Sequence, residues 1–478
     1  MPSLTTAALA VVLVSAAFTA DLEVRQEWLR SEALNLKRKY ARHLPEEEVA
    51  RMKRDIDARG AQRLGKRQAK MEGVQMLDVG YDASYTGAMT VGTPPQSFQV
   101  ILDTGIKSQQ VALLPREYLF SRSCDQSLML SADDMSSANQ VFNITYGSGD
   151  ADGYLATDTV TMGGYTVPNQ VLGVVSSASD NLLQQPYSGL MGLAFETLAS
   201  SGAMPFWEGL VTSNQWPMPA MGFYMARYRD DYSATQVESH GGWFSMGYLN
   251  ESMFTGDVNY VSINQNDRDY WRIPVQGAQI QGSTVTITQY NGAYAPEAAI
   301  DTGTTLIGVP QSIAQNFYAK IPGARAITAA GLSGYYEYPC STQIMLSLQF
   351  GSVSYAVSNG DFNLGQFTSN VQYCTGAIYA QNLGSQSPIQ WIVGATFLKN
   401  VYSVFRYNPT AIGFAALANN ASSLTTATGA TSALLPTSTS GSGSSPGKAS
   451  AAMGLVVTPF TIVIGVIAST AAVCGLAL

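Results

Sequence analysis

Two aspartates occupy the same six-residue setting 198 residues apart, Val100-Ile101-Leu102-Asp103-Thr104-Gly105 and Ala298-Ala299-Ile300-Asp301-Thr302-Gly303. An apolar strand that ends in Asp-Thr-Gly carries its carboxylate into a tight turn. There the threonine hydroxyl can bond locally and the glycine admits a second backbone at close range. Two such turns related by a pseudo-twofold axis would set two carboxyls face to face. Carboxyls in contact cannot both ionise, so they share one proton, and one serves as base while the other serves as acid. Such a pair can activate water with neither metal nor imidazole. One Asp-Thr-Gly is ordinarily a structural turn; the second copy in a matching place is what points to chemistry.

The repeat extends beyond the two turns. Each is followed by two hydrophobic residues and a glycine, with Gly192 of Leu190-Met191-Gly192 lying 89 residues after Asp103 and Gly394 of Ile392-Val393-Gly394 lying 93 after Asp301. The chain therefore contains two halves of similar layout. At 478 residues it is too long for one core. Its 46% hydrophobic content and 44 glycines describe a turn-rich, β-leaning protein rather than a disordered one. The stretches FQVILD, VFNITY, TVTITQY, IMLSLQF and YSVFRY read as strands bounded by Gly, Pro and Asn turns. Helix signals are few and short, as around residues 311–320. The fold class is mostly β in two lobes, an N-terminal lobe over 68–255 and a C-terminal lobe over 256–416.

Counts exclude several other chemistries. Of the two histidines, His43 precedes the body, which leaves His240 alone and removes any two- or three-His metal site. No G-x-S-x-G turn precedes His240, and its setting, Ser239-His240-Gly241-Gly242, reads as a loop, so a Ser-His-Asp triad is not expected. Residues 21–70 hold 14 of the 26 basic and 9 of the 34 acidic residues, which leaves 12 basic against 25 acidic downstream, a net −13. An acidic body without basic stripes is not a nucleic-acid binder. No metal and no cofactor is called for.

Both ends carry targeting signals. Residues 7–18 form an apolar run, and Ser15 and Ala17 suit a cut that ends a signal peptide at residue 17. Residues 18–67, basic and rich in helix formers, end in Lys66-Arg67 and read as a propeptide cut after Arg67. At the other end, 15 Ser or Thr fall within residues 421–450, which places a Ser/Thr-rich stalk over 417–450. The last segment, 451–478, is apolar to its final residue. It fits a GPI-anchor signal, with a transmembrane tail as the alternative. Export would bring the chain to the cell surface through an oxidising compartment in which Cys340 and Cys374 can pair. Cys124 has no evident partner, and Cys474 lies in the apolar tail. Asn143, Asn250 and Asn420 stand in glycosylation sequons.

Five stretches together resemble the pepsin family of aspartic proteases over about residues 80–416: GTPPQSFQVILDTG at 92–105, ITYGSG at 144–149, YSGLMGLAF at 187–195, AAIDTGTTLIGVP at 298–310, and WIVGATFLKNVYSVFRYNPTAIGFA at 391–415. The stalk and terminal tail are similar to the GPI-anchored fungal branch. The resemblance implies a bilobal β fold with a substrate cleft between its lobes and a β-hairpin flap above. It makes Asp103 and Asp301 the catalytic pair, with Thr104, Gly105, Thr302 and Gly303 bracing their loops. Thr304 would hydrogen-bond the outer oxygen of Asp301, Tyr146 and Gly147 would belong to the flap, and Cys340 and Cys374 would form the disulfide of the C-terminal lobe.

Some positions depart from the family pattern. Ile106 stands where a Ser or Thr usually follows the first Asp-Thr-Gly, Gln110 replaces the usual tryptophan, Ala395 follows Gly394 in place of aspartate, and Arg406 ends the usual VFD. The resemblance implies a monomeric endopeptidase acting on polypeptides at acid pH, inhibited by its own propeptide until maturation. Ile106 keeps open an alternative, a catalytically weakened peptide-binding protein on the same fold.

Overall fold

The computed structural model describes residues 22, 25, 26, 29, 73–105, 111–113, 136–146, 149–178, 189–199, 201–229, 231, 233–287, 295–384 and 386–419. The signal peptide, the propeptide cut at Lys66-Arg67, nearly all of the stalk, the apolar tail, Asn420, Ile106, Gln110, Cys124, Gly147 and Cys474 lie outside the described residues. Among the described residues no helix is long and apolar enough to cross a membrane.

The described residues are mostly β. Thirteen strands form one sheet that draws on both halves of the sequence: Phe254–Ser262, Ala411–Leu417, Tyr402–Arg406, Ala220–Met225, Val237–Met246, Val74–Val79, Ser84–Val91, Gln96–Asp103, Gly189–Gly192, Val111–Leu113, Tyr165–Ala178, Gly149–Met162 and Ser136–Tyr146, in that spatial order. The strand Phe254–Ser262 crosses the expected lobe boundary at 255 and pairs with Ala411–Leu417. A second sheet runs Val353–Val357, Leu346–Phe350, Arg272–Ile280, Glu297–Ile300, Trp391–Val393, Ile307–Pro310 and Ile378–Gln381, with Ser283–Thr284 paired to Arg272–Ile280. A third joins Arg325–Ala326, Tyr336–Pro339 and Tyr373–Thr375. Cys340 and Cys374 close a disulfide at the end of that sheet, with Cα atoms 4.9 Å apart.

The two halves place their Asp-Thr-Gly turns by the same pairing. Val100–Asp103 runs parallel to Gly189–Gly192, which on its other side pairs antiparallel with Val111–Leu113. In the second half Ala298–Ile300 runs parallel to Trp391–Val393, and Ile307 and Gly308 pair antiparallel with Val393 and Ile392. The hydrophobic-hydrophobic-Gly stretch of each half thus inserts between the strand that enters its aspartate loop and the strand that follows it. Strands buried on both faces need continuous apolar runs, and Leu102, Met191, Ile300, Ile392 and Val393 are all essentially solvent-free. Beneath both loops Phe195, Trp207, Trp271 and Phe405 form one aromatic cluster, with Phe195 and Trp271 centroids 4.3 Å apart. Trp271 also donates from Nε1 to the Leu193 carbonyl at 2.8 Å, tying the second half to the loop beside Asp103.

Helices are short, as expected. The longest described as an intact element is Gln311–Tyr318, whose Ile313, Ala314, Phe317 and Tyr318 are buried. Two local readings differ from the sequence expectation. Of TVTITQY, residues 284–290, only Thr284 lies in a strand among the described residues, as the end of Ser283–Thr284. Ser239-His240-Gly241-Gly242 is not a loop but part of Val237–Met246, irregular in register against Val74–Val79. Two glycines fit there because the strand lies so close to its neighbours: a Cβ on Gly241 would meet the Asp78 amide nitrogen at 2.0 Å. His240 is exposed, with Nδ1 3.1 Å from the Ser239 hydroxyl.

Candidate active site

The two Asp-Thr-Gly turns clasp each other reciprocally. The Thr104 amide donates to Thr302 Oγ1 at 3.1 Å and the Thr302 amide to Thr104 Oγ1 at 3.0 Å. Each hydroxyl in turn donates across the divide, Thr104 to the Ile300 carbonyl at 2.8 Å and Thr302 to the Leu102 carbonyl at 2.7 Å. Four bonds related by the internal symmetry therefore fix one loop against the other, and all of them are buried. Threonine suits both positions because a single hydroxyl both accepts and donates.

The carboxyls are held by the same logic. The Gly105 amide donates to Asp103 Oδ1 at 2.8 Å, and the Gly303 amide donates to Asp301 Oδ1 at 3.0 Å. Thr304 Oγ1 donates to Asp301 Oδ2 at 2.5 Å. A Cβ placed on Gly303 would stand 2.1 Å from Asp103 Oδ2 and 2.2 Å from its Cγ. Gly303 therefore touches both carboxyls: its amide binds that of Asp301 while its Cα lies against that of Asp103. Asp103 is 2% exposed and Asp301 not at all. Both acids are thus buried and both meet Gly303.

Further bonds hold the Asp301 loop from behind. The amides of Ala395 and Thr396 donate to the carbonyls of Thr304 and Thr305 at 2.7 and 2.8 Å. A Cβ on Gly394 would meet the Thr304 carbonyl oxygen at 2.2 Å, which is why a glycine is needed there. Tyr270, buried beside this loop, has its hydroxyl pKa pushed well above the ordinary value by burial and by the negative charges of Asp269 and Asp301. Sequence reasoning did not find Tyr270 or Trp271; no pattern in the chain marks them.

Strands Ser136–Tyr146 and Gly149–Met162 form a hairpin whose last pair is Tyr146 and Gly149. This puts Tyr146 at the hairpin end where the flap is expected. Asn143 lies in the same hairpin, paired with Asp152. Asn250 sits in a turn in which its Oδ1 accepts from the Ser252 hydroxyl at 2.7 Å. Among the described residues no group of three or more His, Cys, Asp or Glu side chains is arranged to hold a metal.

A second charged assembly, also missed in the sequence, lies behind the site. Lys399, 3% exposed, places Nζ 2.6 Å from Asp82 Oδ2 and 2.8 Å from Asp361 Oδ1. Arg227 forks onto Asp361 through Nε at 2.9 Å and Nη2 at 2.5 Å. The amides of Asp82 and Tyr228 donate to Asp78 Oδ1 and Asp82 Oδ1 at 2.9 and 2.6 Å. Burial raises Asp78 most, the Asp82 charge adds to it, and its pKa is pushed up to about 8. Burial acts the same way on Asp361, but Lys399 and Arg227 outweigh it and hold that carboxyl well below its usual range. Asp82 is likewise kept low by Lys399 and Arg229 against the effect of burial. Tyr81 and Asp82 both take positive φ, 56° and 68°, a strained turn for side-chain-bearing residues that this network pins in place. Thr305 Oγ1 donates to the Ala83 carbonyl at 2.7 Å, so the pinned turn abuts the Asp301 loop.

Residues 84–417 match the family described as eukaryotic aspartyl protease. The chain is 49% identical over 420 residues to major aspartyl peptidase 1 of Cryptococcus neoformans var. grubii, covering 86% of this chain and 84% of that protein. It is 32% identical over 350 residues to an aspartic protease of Phaffia rhodozyma, covering 71% and 78%, and 30% identical over 347 residues to gastricsin of Callithrix jacchus, covering 70% and 82%.

Proposed function

Given that the chain belongs to the eukaryotic aspartyl protease family and is an aspartic-type endopeptidase, we propose that Asp103 and Asp301 are its catalytic pair and that it works at acid pH on the outer face of a membrane. The observation that carries the reading is the convergence of both carboxyls on Gly303 within the reciprocal Thr104–Thr302 clasp. Thr304 gives Asp301 a hydroxyl donor, which favours its ionised form. Asp301 then takes a proton from water as that water attacks the peptide carbonyl, while protonated Asp103 gives its proton to the carbonyl oxygen. As the tetrahedral intermediate collapses, Asp301 gives the proton it took from water to the departing amine nitrogen, the C–N bond breaks, and Asp103 regains its proton from the gem-diol hydroxyl as the carboxyl product forms. The burial of both acids excludes bulk water from the exchange, and the hairpin that carries Tyr146 closes over the bound polypeptide.

Residues 18–67 act as an intramolecular inhibitor until the cut after Arg67. The signal peptide at 1–17 directs export, Asn143, Asn250 and Asn420 accept glycans, and the 451–478 tail is the signal exchanged for a GPI anchor that holds the monomer. The test incubates the matured protein with a denatured protein substrate at acid and at neutral pH, with and without a statine-type inhibitor. Inhibitor-sensitive cleavage confined to acid pH supports the reading; cleavage that the inhibitor leaves untouched overturns it. Release of surface activity by a phosphatidylinositol-specific phospholipase supports the GPI anchor, and retention supports a transmembrane tail.

A further inference from the structure

Thr304 carries the hydroxyl that binds Asp301, and the backbone around it is held from two directions. From one side the short helix Ala395–Leu398 offers the amides of its first turn, which have no partner within the helix. Those of Ala395 and Thr396 bind the Thr304 and Thr305 carbonyls, and Thr396 Oγ1 adds a second donor to the Thr305 carbonyl at 2.9 Å. From the other side Thr305 Oγ1 donates at 2.7 Å to the Ala83 carbonyl, 222 residues earlier in the chain. Thr305 is 4% exposed, so removing its hydroxyl leaves that carbonyl with little water to replace the bond.

The acceptor is itself anchored. Ala83 follows Tyr81 and Asp82, whose positive φ angles persist only where the surroundings hold them. Asp82 is fixed by the Tyr228 amide at 2.6 Å and by Lys399 Nζ at 2.6 Å. Lys399 ends the same helix that binds Thr304, its amide donating to the Ala395 carbonyl at 3.0 Å. The contacts therefore close a ring: Thr304 to the helix, the helix to Lys399, Lys399 to Asp82, the Asp82-Ala83 turn to Thr305, and Thr305 back to Thr304. Its links are backbone bonds, covalent bonds and an ion pair, except for one. That one is the Thr305 hydroxyl.

We propose that Thr305 is a positioning residue for the hydrolysis: by tying the loop to Ala83 it holds the Thr304 hydroxyl on Asp301 Oδ2, and the Lys399–Asp82 pair keeps the acceptor in place. The proposal rests on the reading of Asp301 as half of the acid–base pair. With the tie cut, Thr304 donates less well, ionised Asp301 loses stabilisation, and Asp301 takes up its proton at higher pH. The titratable groups that face Asp301 are Asp103 across Gly303 and Tyr270. Those that face the Lys399–Asp82 pair are Asp78, Asp361, Arg227, Arg229 and buried Tyr85. Thr305→Val alters the charge of none of them, so a displaced pH profile reports geometry.

The test measures kcat and KM of the matured protein on a quenched fluorescent peptide across the acid range, beside a thermal melt. Thr305→Val should lower kcat roughly three- to tenfold, the worth of one buried hydrogen bond, with KM near wild type. It should also move the acid limb of the kcat profile to higher pH, and Thr305→Ser, which keeps the hydroxyl, should restore both. In a Thr304→Val background Thr305→Val should move the limb no further, because its effect passes through Thr304. Asp82→Asn reads the far end of the ring. Loss of a negative charge by itself lowers the pKa of nearby carboxyls, whereas a loosened ring raises that of Asp301. Asp82→Asn should therefore move the limb up, and the upward shift should vanish in the Thr305→Val background. A lower melting point with kcat and limb unchanged, a change in KM alone, or limb shifts that add in the Thr304→Val background would overturn the proposal. Asp301→Asn is read in parallel: an active Asp301→Asn enzyme sinks the dyad reading, whereas an inactive one beside a Thr305→Val enzyme that behaves as wild type sinks the positioning role alone.

Discussion

Replacing Gly303 by alanine tests the geometry of the pair with a single methyl group. The added Cβ would stand 2.1, 2.2 and 2.8 Å from Oδ2, Cγ and Cβ of Asp103. Ordinary contact needs more than about 3.4 Å, so the Asp103 carboxyl and the Gly303 backbone must separate by about 1 Å. A misplacement of about 1 Å costs on the order of a hundredfold in rate, equivalent to about 2.7 kcal/mol of transition-state stabilisation. The overlap also strains the folded state by about 1–3 kcal/mol. The assay is kcat/KM on a quenched fluorescent peptide beside a thermal melt of each variant. Gly209→Ala, where the new carbon would find its nearest neighbour at 3.8 Å, serves as the control and should keep full activity. A Gly303→Ala enzyme with more than about a third of wild-type kcat/KM would refute the claim that both carboxyls converge on this residue.

Three further outcomes are expected. The Asp78 carboxyl, pushed up to about 8, contributes stability that is fully present below about 3.8 and is lost as pH climbs toward 8, whereas Asp361 and Asp82, held low, contribute stability that is lost as pH falls below about 3.8. Denaturant midpoints should therefore peak in mildly acid solution, and Asp78→Asn should flatten the alkaline side of that curve; an unchanged curve would contradict the assignment. Lys399→Met leaves Asp82 and Asp361 buried with less compensating charge and should cost about 3 kcal/mol or more by denaturation, partly recovered by adding Asp82→Asn. Thr304→Val removes the donor to Asp301 Oδ2 and should lower kcat and move the acid limb of the rate profile to higher pH, while Ile106→Ser should move it to lower pH; superimposable profiles would show that these positions do not address the dyad.

What could be seen in the sequence was what repeats. The aspartates, their threonines and the hydrophobic-hydrophobic-Gly stretches recur in a similar layout in the two halves, and the sheets register Asp103 against Gly192 and Ile300 against Val393. What could not be seen was assembled from distant single residues. Lys399 and Asp82 are 317 positions apart, and neither stands in a pattern. Tyr270 beside Asp301 reads as one more aromatic in a strand-rich chain. His240 was misplaced for a different reason: a two-glycine stretch signals a turn, but here the glycines serve the close approach of two strands, and tertiary packing overrode the local cue. TVTITQY differed in the opposite way, since β-propensity reports a fit to a half-buried sheet surface and only Thr284 of it has a partner strand among the described residues.

The central claim is that Asp103 and Asp301 act as one acid–base unit. Its most direct measurement is the rate of peptide hydrolysis by Asp103→Asn, Asp301→Asn and the double variant, each shown by circular dichroism to be folded. If the carboxyls share one proton and fill complementary roles, either single variant should lose nearly as much activity as the double, because groups that act as a unit are not additive. Substantial hydrolysis by either single variant, or losses that simply multiply in the double, would contradict the account.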